Sequence, residues 1–356
     1  VRAYAVLREG DPSIGEVDLP APPVTDHEVR LRVLQSGVCH SDVHLATGYH
    51  DLGTRGRVPL SSRGFTYPLV MGHEIVGVVE QVGPAVEGVG VGDVRLVYPW
   101  IGCGSCRRCA AGEDNLCATG RALGAHRPGG FAEAVLVPHE RYLLDIAGLE
   151  PAAAATLACS GLTALAAVKK ALPLPPDSPV VVVGVGGVGL TVVGALAALG
   201  HRAICAVDLD LDNLALARGL GATTTVQLTP GVTAADLLEQ LDGPVEAVID
   251  LVNSGATSSI ATEIVVKGGL VVQVGLFGGE LQLPTVLMPL RALTLRGSYV
   301  GTLAELQEAV ELARSGALRQ PPILPGVLDR AGVASALQRL AGGGVPGRIV
   351  LAPRSA

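Results

Sequence analysis

Aromatic side chains are scarce in this chain: three Phe, one Trp and six Tyr make up only 3% of 356 residues. Its core must therefore be packed mainly by aliphatic groups, and hydrophobic residues of all kinds reach 49%. Lysine occurs only at positions 169, 170 and 267, charged residues stop at 17%, and the formal net charge is −7. No basic patch offers a grip to nucleic acid or an anionic membrane surface, so neither partner is expected. Internal repeats and low-complexity linkers are absent. The stretch VRAYAVLREG alternates like a strand and lacks the apolar core of a signal peptide, which makes a cytoplasmic location the default expectation. In a reducing compartment the seven cysteines are expected to be metal ligands or buried apolar groups, not disulfides.

The length exceeds what one hydrophobic core usually organises and suggests two domains. The first half reads as β-rich, with short β-branched runs at 28–38, 74–83 and 131–138 bounded by Gly, Pro and Asp. From about residue 160 strands and helices alternate. Candidate strands at 180–183, 203–207, 223–228, 246–252, 270–275 and 293–299 imply an α/β unit with a doubly wound, parallel, six-stranded sheet. A helix with Leu303, Leu306, Val310 and Leu312 on one face follows, then a Pro- and Gly-rich tail ending in the strand GRIVLA. Residues 179–200 carry no charge and are long enough to span a bilayer. The glycines within them and the fresh strand after them fit a buried strand, turn and helix better.

In GVGGVG, residues 184–189, Gly184, Gly186 and Gly189 have the G-x-G-x-x-G spacing between a strand and a helix. The first glycine makes the turn, the second admits a pyrophosphate, the third lets helix pack on sheet, and the helix N-terminus offers free N–H groups. Asp208 closes the second strand, where a carboxylate accepts bonds from ribose hydroxyls and repels a 2′-phosphate, favouring NAD over NADP. The competing role for Asp208 is a helix cap.

The spacing C-x2-C-x2-C-x7-C of Cys103, Cys106, Cys109 and Cys117 is a strong signal for tetrahedral zinc, with an iron–sulfur cluster as the rival. Four thiolates leave no open coordination position, so this cluster reads as structural. Of the remaining cysteines, Cys205 lies in a predicted strand and reads as a buried thiol. Cys39, in GVCHSDVH, and Cys159, in LACSG, flank MGHE with His73 and Glu74. A Cys, a His and a Cys brought together would make a zinc site with one open position. No local spacing proves that convergence.

The segments GVCHSD, MGHE, CGSCRRCAAGEDNLC, CSGLTA and GVGGVG occur in an order that resembles the zinc-dependent alcohol dehydrogenases of the medium-chain dehydrogenase/reductase superfamily, essentially end to end. The resemblance implies a Rossmann NAD-binding domain at 161–300. It also implies a β-rich GroES-like catalytic domain at 1–160, with a structural zinc lobe at 100–120, completed by 301–356. Cys39, His73 and Cys159 then look like catalytic zinc ligands, with Glu74 as an occasional fourth, giving two zinc ions per chain. Ser41 resembles the hydroxyl that bonds the substrate oxygen, His44 the residue that passes its proton to solvent, and Asp42 the carboxylate that orients His73. His40 and Arg348 look like pyrophosphate contacts, Thr163, Val188 and Val274 like neighbours of the nicotinamide, and Gly187 belongs to the cofactor turn. The implied reaction interconverts an alcohol with an aldehyde or ketone, in a homodimer or homotetramer. Alternatives are a polyol or amino-alcohol dehydrogenase, a zinc-independent quinone or enone reductase, and a non-catalytic NAD-binding protein. Residues 45–70 form a long segment that either borders the substrate entrance or is a solvent loop without functional consequence, and Tyr49, Tyr98 and Trp100 are candidates for the pocket wall or for the core.

Overall fold

A computed structural model describes residues 1–354 apart from positions 22, 230 and 242. The last two positions of the expected segment 301–356 therefore lie outside the described residues. Strands Val180–Val183, Ile204–Asp208, Thr224–Gln227, Val245–Asp250, Val265–Gln273 and Thr294–Gly297 form one six-stranded sheet. All its pairings are parallel, and the chain reverses direction of growth on either side of Val180–Val183. This is the doubly wound order, whose ligand crevice lies at the carboxyl ends of the central strands. The four valines are fully or almost fully buried, as an all-parallel sheet covered on both faces requires.

The uncharged stretch 179–200 resolves into strand Val180–Val183, the glycine turn and helix Gly187–Ala198. A different helical run, Pro151–Ala171, has the length and apolarity to cross a bilayer, but 83% of its apolar window is buried in the protein. It is the core helix between the two sheets. Pro151 at the first helical position and the alanines after it are its local start signal.

The second large sheet is mixed. Its order is Leu143–Asp145, Val94–Val97, Glu74–Val82, Val29–Val38, Arg348–Ala352 and Ile323–Val327, with Ala134–Val137 also pairing with Val29–Val38. The last strand of the chain thus returns to the first half of the sequence, with Ile349 opposite Val38. That register carries Arg348 to the residues around Cys39. Within residues 45–70, Tyr49–Asp51 and Arg57–Pro59 form a hairpin. Thr54 Oγ1 donates to Glu280 Oε2 at 2.7 Å, and a Cβ on Gly278 would lie 2.7 Å from the Asp51 carbonyl oxygen. The hairpin is therefore seated on the loop that follows the fifth strand of the parallel sheet.

Candidate active site and metal centres

Helix His40–Thr47 begins at Cys39, which is its N-cap. Asp42 Oδ2 accepts the Cys39 N–H at 2.9 Å, satisfying one of the donors a helix start leaves open. Its Oδ1 lies 3.2 Å from His73 Nδ1 and accepts the Gly72 N–H at 3.3 Å. Asp42 is wholly buried, so these contacts replace its lost hydration. A carboxylate bonded at Nδ1 fixes the ring with Nε2 turned the other way, towards the thiols.

Cys159 arrives from the core helix at a π-helical turn, Leu157–Gly161. Such one-turn bulges re-aim a side chain within an otherwise regular helix. Its Sγ is 3.9 Å from Cys39 Sγ, against the ~3.8 Å edge of a tetrahedron with zinc–sulfur bonds of about 2.3 Å. The ligand atoms of Cys39, His73 and Cys159 all lie within 4.8 Å of one another on buried side chains. The Cys159 hydrogen bond, reinforced by His73 and Arg348, holds the Cys39 thiol well below its ordinary range against the cost of burial. Two soft thiols, an imidazole held at Nδ1 by a carboxylate and, among the described residues, no fourth donor in the group fit a zinc ion with an open position. Ser41 Oγ stands at that edge, 3.3 Å from His73 Nε2.

Glu74 is bound to Arg348 in this structure. Its carboxylate does not join the cluster, because both oxygens accept from Arg348 Nη2 at 2.6 Å and Oε1 also accepts the Ser160 N–H at 3.1 Å. Burial pushes the Glu74 carboxyl up to about 7, and the guanidinium works in the other direction. Tyr98 is fully buried and its hydroxyl donates to the Gly301 carbonyl at 2.9 Å, so of the two roles open to it, pocket wall or core, it takes the core. Trp100 lies beside His73, with ring centroids 5.6 Å apart. Tyr49 carries the Arg57 guanidinium over its ring at 4.2 Å.

The second cluster gathers Cys103, Cys106, Cys109 and Cys117 within the same 4.8 Å limit. Sulfur–sulfur distances of 3.6 and 3.9 Å separate Cys106 from Cys109 and Cys117. Backbone N–H groups of Cys103 and Cys106 point at Cys117 and Cys103 sulfurs, each at 3.4 Å. Four converging thiols with N–H support fit a closed tetrathiolate site.

At the glycine turn, Gly184 has φ +82, and a Cβ on Gly189 would lie 2.0 Å from the Gly184 carbonyl oxygen. A Cβ on Gly187 would meet Arg348 Cδ at 2.5 Å, whereas Gly186 faces open space. The Arg348 side chain therefore crosses the turn on its way to Glu74, and its buried Nε has no hydrogen-bond partner among the described residues. Thr163 Oγ1 is likewise buried and unpartnered. Asp208 Oδ2 accepts the Val185 N–H at 2.6 Å and Oδ1 the Asp210 N–H at 2.9 Å, so the carboxylate overhangs the turn with lone pairs to spare. The helix N-cap beyond it is Asp210, not Asp208. An open glycine, orphaned donors and this carboxylate fit a dinucleotide. Val188, at the start of the helix, and Val274, just past the fifth strand, are partly exposed.

Several neighbours of this cleft carry no signal in the sequence. Phe277 stacks on His40 with centroids 4.8 Å apart and meets His44 edge-on at 5.8 Å. Tyr299 stands edge-on to Trp100 at 5.9 Å. His50, from the hairpin, is close enough to His44 to lower its basicity; burial dominates, and together with His40 these effects hold His44 at about 4.

A parallel doubly wound sheet with a dinucleotide turn, set beside a thiol–imidazole cluster on a second sheet, defines a nucleotide-dependent metalloenzyme. Residues 25–147 match the family described as alcohol dehydrogenase GroES-like domain, and residues 187–315 match that described as zinc-binding dehydrogenase. An NAD-dependent alcohol dehydrogenase of Sulfurisphaera tokodaii is 34% identical over 99% of this chain and 100% of its own length. Another protein of that description, from Sulfolobus acidocaldarius, is 36% identical over 99% of each chain. The crystal structure of the alcohol dehydrogenase from Aeropyrum pernix superposes with a TM-score of 0.88 at 32% identity, covering 99% of this chain and 100% of that one. The chain belongs to the zinc-dependent alcohol dehydrogenase family of the medium-chain dehydrogenase/reductase superfamily.

Proposed function

We propose that this enzyme catalyses reversible hydride transfer between a primary or secondary alcohol and NAD, giving an aldehyde or ketone, with two zinc ions per chain. The observation that carries this reading is the buried convergence of Cys39, His73 and Cys159 within 4.8 Å, with Ser41 at its edge. Zinc held there supplies a Lewis acid and NAD held at the glycine turn the hydride acceptor.

The chain's own residues do the rest. Ser41, with its Oγ 3.3 Å from His73 Nε2 at the edge of the cluster, would accept the substrate hydroxyl's proton as it gives up its own. His44, kept neutral at pH 7, accepts that proton and returns it to solvent. Asp42 touches no substrate and is a positioning residue for His73. Asp208 favours a ribose with both hydroxyls over one bearing a 2′-phosphate, while Arg348 and His40 border the pyrophosphate and Thr163, Val188 and Val274 the nicotinamide. We assign 1–160 and 301–356 to the catalytic domain, with the zinc lobe at 100–120, and 161–300 to the cofactor domain. The pairing of Arg348–Ala352 with Val29–Val38 supports that division. Exposed Leu276, Val286 and Leu290 near the free edge of the parallel sheet support assembly into a homodimer or homotetramer. A cytoplasmic location fits cysteines that form no disulfide among the described residues.

Metal analysis combined with a panel of alcohols, aldehydes and ketones tests the proposal. Two zinc ions per chain and NADH formation from simple alcohols, with NADP a poorer acceptor, are expected. One zinc or none, or no turnover of any alcohol, would sink it.

A further inference from the structure

Away from the cleft, a third group of donors converges: His27, His139 and Glu140 bring two imidazole nitrogens and a carboxylate within 4.8 Å of one another. The sheet explains why. Strands Val29–Val38 and Ala134–Val137 are antiparallel with Val29 opposite Val137. Continuing that register two residues past the ladder sets His27 opposite His139. The rings stack almost parallel, with centroids 4.4 Å apart and planes 5° apart.

Both Nδ1 atoms face the same carboxylate. His27 Nδ1 lies 3.0 and 3.1 Å from the two Glu140 oxygens, and His139 Nδ1 lies 3.0 Å from Oε2. His139 Nδ1 also accepts the Arg141 N–H at 3.2 Å, so an ion bound at this nitrogen would take the lone pair from that backbone donor. The carboxylate is 13% exposed and the two imidazoles 46% and 39%, so an ion has access from solvent to these donors, and the half-exposed rings have room to tilt out of their stack until both lone pairs meet at one ion.

We propose that His27, His139 and Glu140 form a surface site for a divalent transition metal. Two imidazoles and one carboxylate suit Zn²⁺, Ni²⁺ or Cu²⁺, with water completing the shell, and do not suit Ca²⁺ or Mg²⁺, which take oxygen ligands. Binding requires both imidazoles to be neutral with the proton on Nε2, so that the Nδ1 lone pairs meet the metal, and at His139 the metal replaces the Arg141 N–H. The ion then staples the turn before Val29 to the turn after Val137 and locks the end of that strand pair. This site shares no residue with either cysteine cluster and does not depend on the dehydrogenase reading.

Isothermal titration of the full-length protein, already carrying its resident zinc, with Ni²⁺ tests this. The wild type is expected to take up one more equivalent per chain than His27→Ala or His139→Ala. Its thermal midpoint should rise with Ni²⁺ while those of the variants stay fixed, and Glu140→Gln should bind the ion more weakly than wild type. Equal uptake by wild type and both histidine variants would overturn the proposal and leave a hydrogen-bonded surface cluster.

Discussion

Arg348 Nη2 lies 2.6 Å from both oxygens of the Glu74 carboxylate, with both side chains buried. The pair ties the last strand of the chain to the segment that carries His73, and the arginine crosses the glycine turn on the way. Breaking a buried pair leaves one charge uncompensated, at a cost of about 3–5 kcal/mol. Arg348→Met and Glu74→Gln should each lower stability in urea by an amount of that order, and the double variant should lose much less than their sum. Additive losses would show that the two residues do not act as a unit.

Asp208 overhangs the glycine turn with lone pairs free. Asp208→Ser should lower kcat/KM with NAD and raise the NADP/NAD ratio of kcat/KM by at least about tenfold, equivalent to ~1.4 kcal/mol of discrimination. Parallel kinetics with the two cofactors check this.

Asp42 holds His73 and the start of the helix at once. In Asp42→Asn an amide NH2 must face either His73 Nδ1–H or the Cys39 N–H, donor against donor. The variant should bind zinc at the catalytic cluster about 10–100-fold more weakly. Competition with a chelator reads this directly, and the four-cysteine site should be unaffected.

His44 is held near 4 in the folded protein by burial, with His40 and His50 adding, below its ordinary 6.5. Between those values the unfolded chain binds a proton at this residue that the native state does not, so stability rises with pH from about 4 to 6.5. Replacing His44 with Gln should remove up to about one proton per chain from that dependence. Urea unfolding across the window, compared with wild type, measures the change in slope.

The alternation of strands and helices after residue 160 made the parallel sheet legible, because buried β-branched runs separated by glycine turns have few other solutions. Spacing alone displays the four-cysteine group, since one loop supplies every thiol. The Cys39, His73 and Cys159 group is different: its members converge only through a sheet register and a π-helical turn, and the sequence suggested it through resemblance. The same pattern placed Glu74 next to a ligand without revealing that Arg348, far away in the chain, takes its carboxylate. The sequence leaves Tyr98 open between pocket wall and core, because proximity to Trp100 says nothing about which face of the strand end a ring occupies. Phe277 and Tyr299 reach the cleft through loops, which carry no periodicity to read.

The division of labour between the two cysteine clusters is the central claim, and one comparison tests it: turnover, zinc content and thermal midpoint of Cys39→Ser beside Cys106→Ser. Cys39→Ser should lose turnover and a zinc ion while keeping its fold, and Cys106→Ser should lose chiefly stability. Retained turnover in Cys39→Ser, or equal loss of folding in both, would contradict the account.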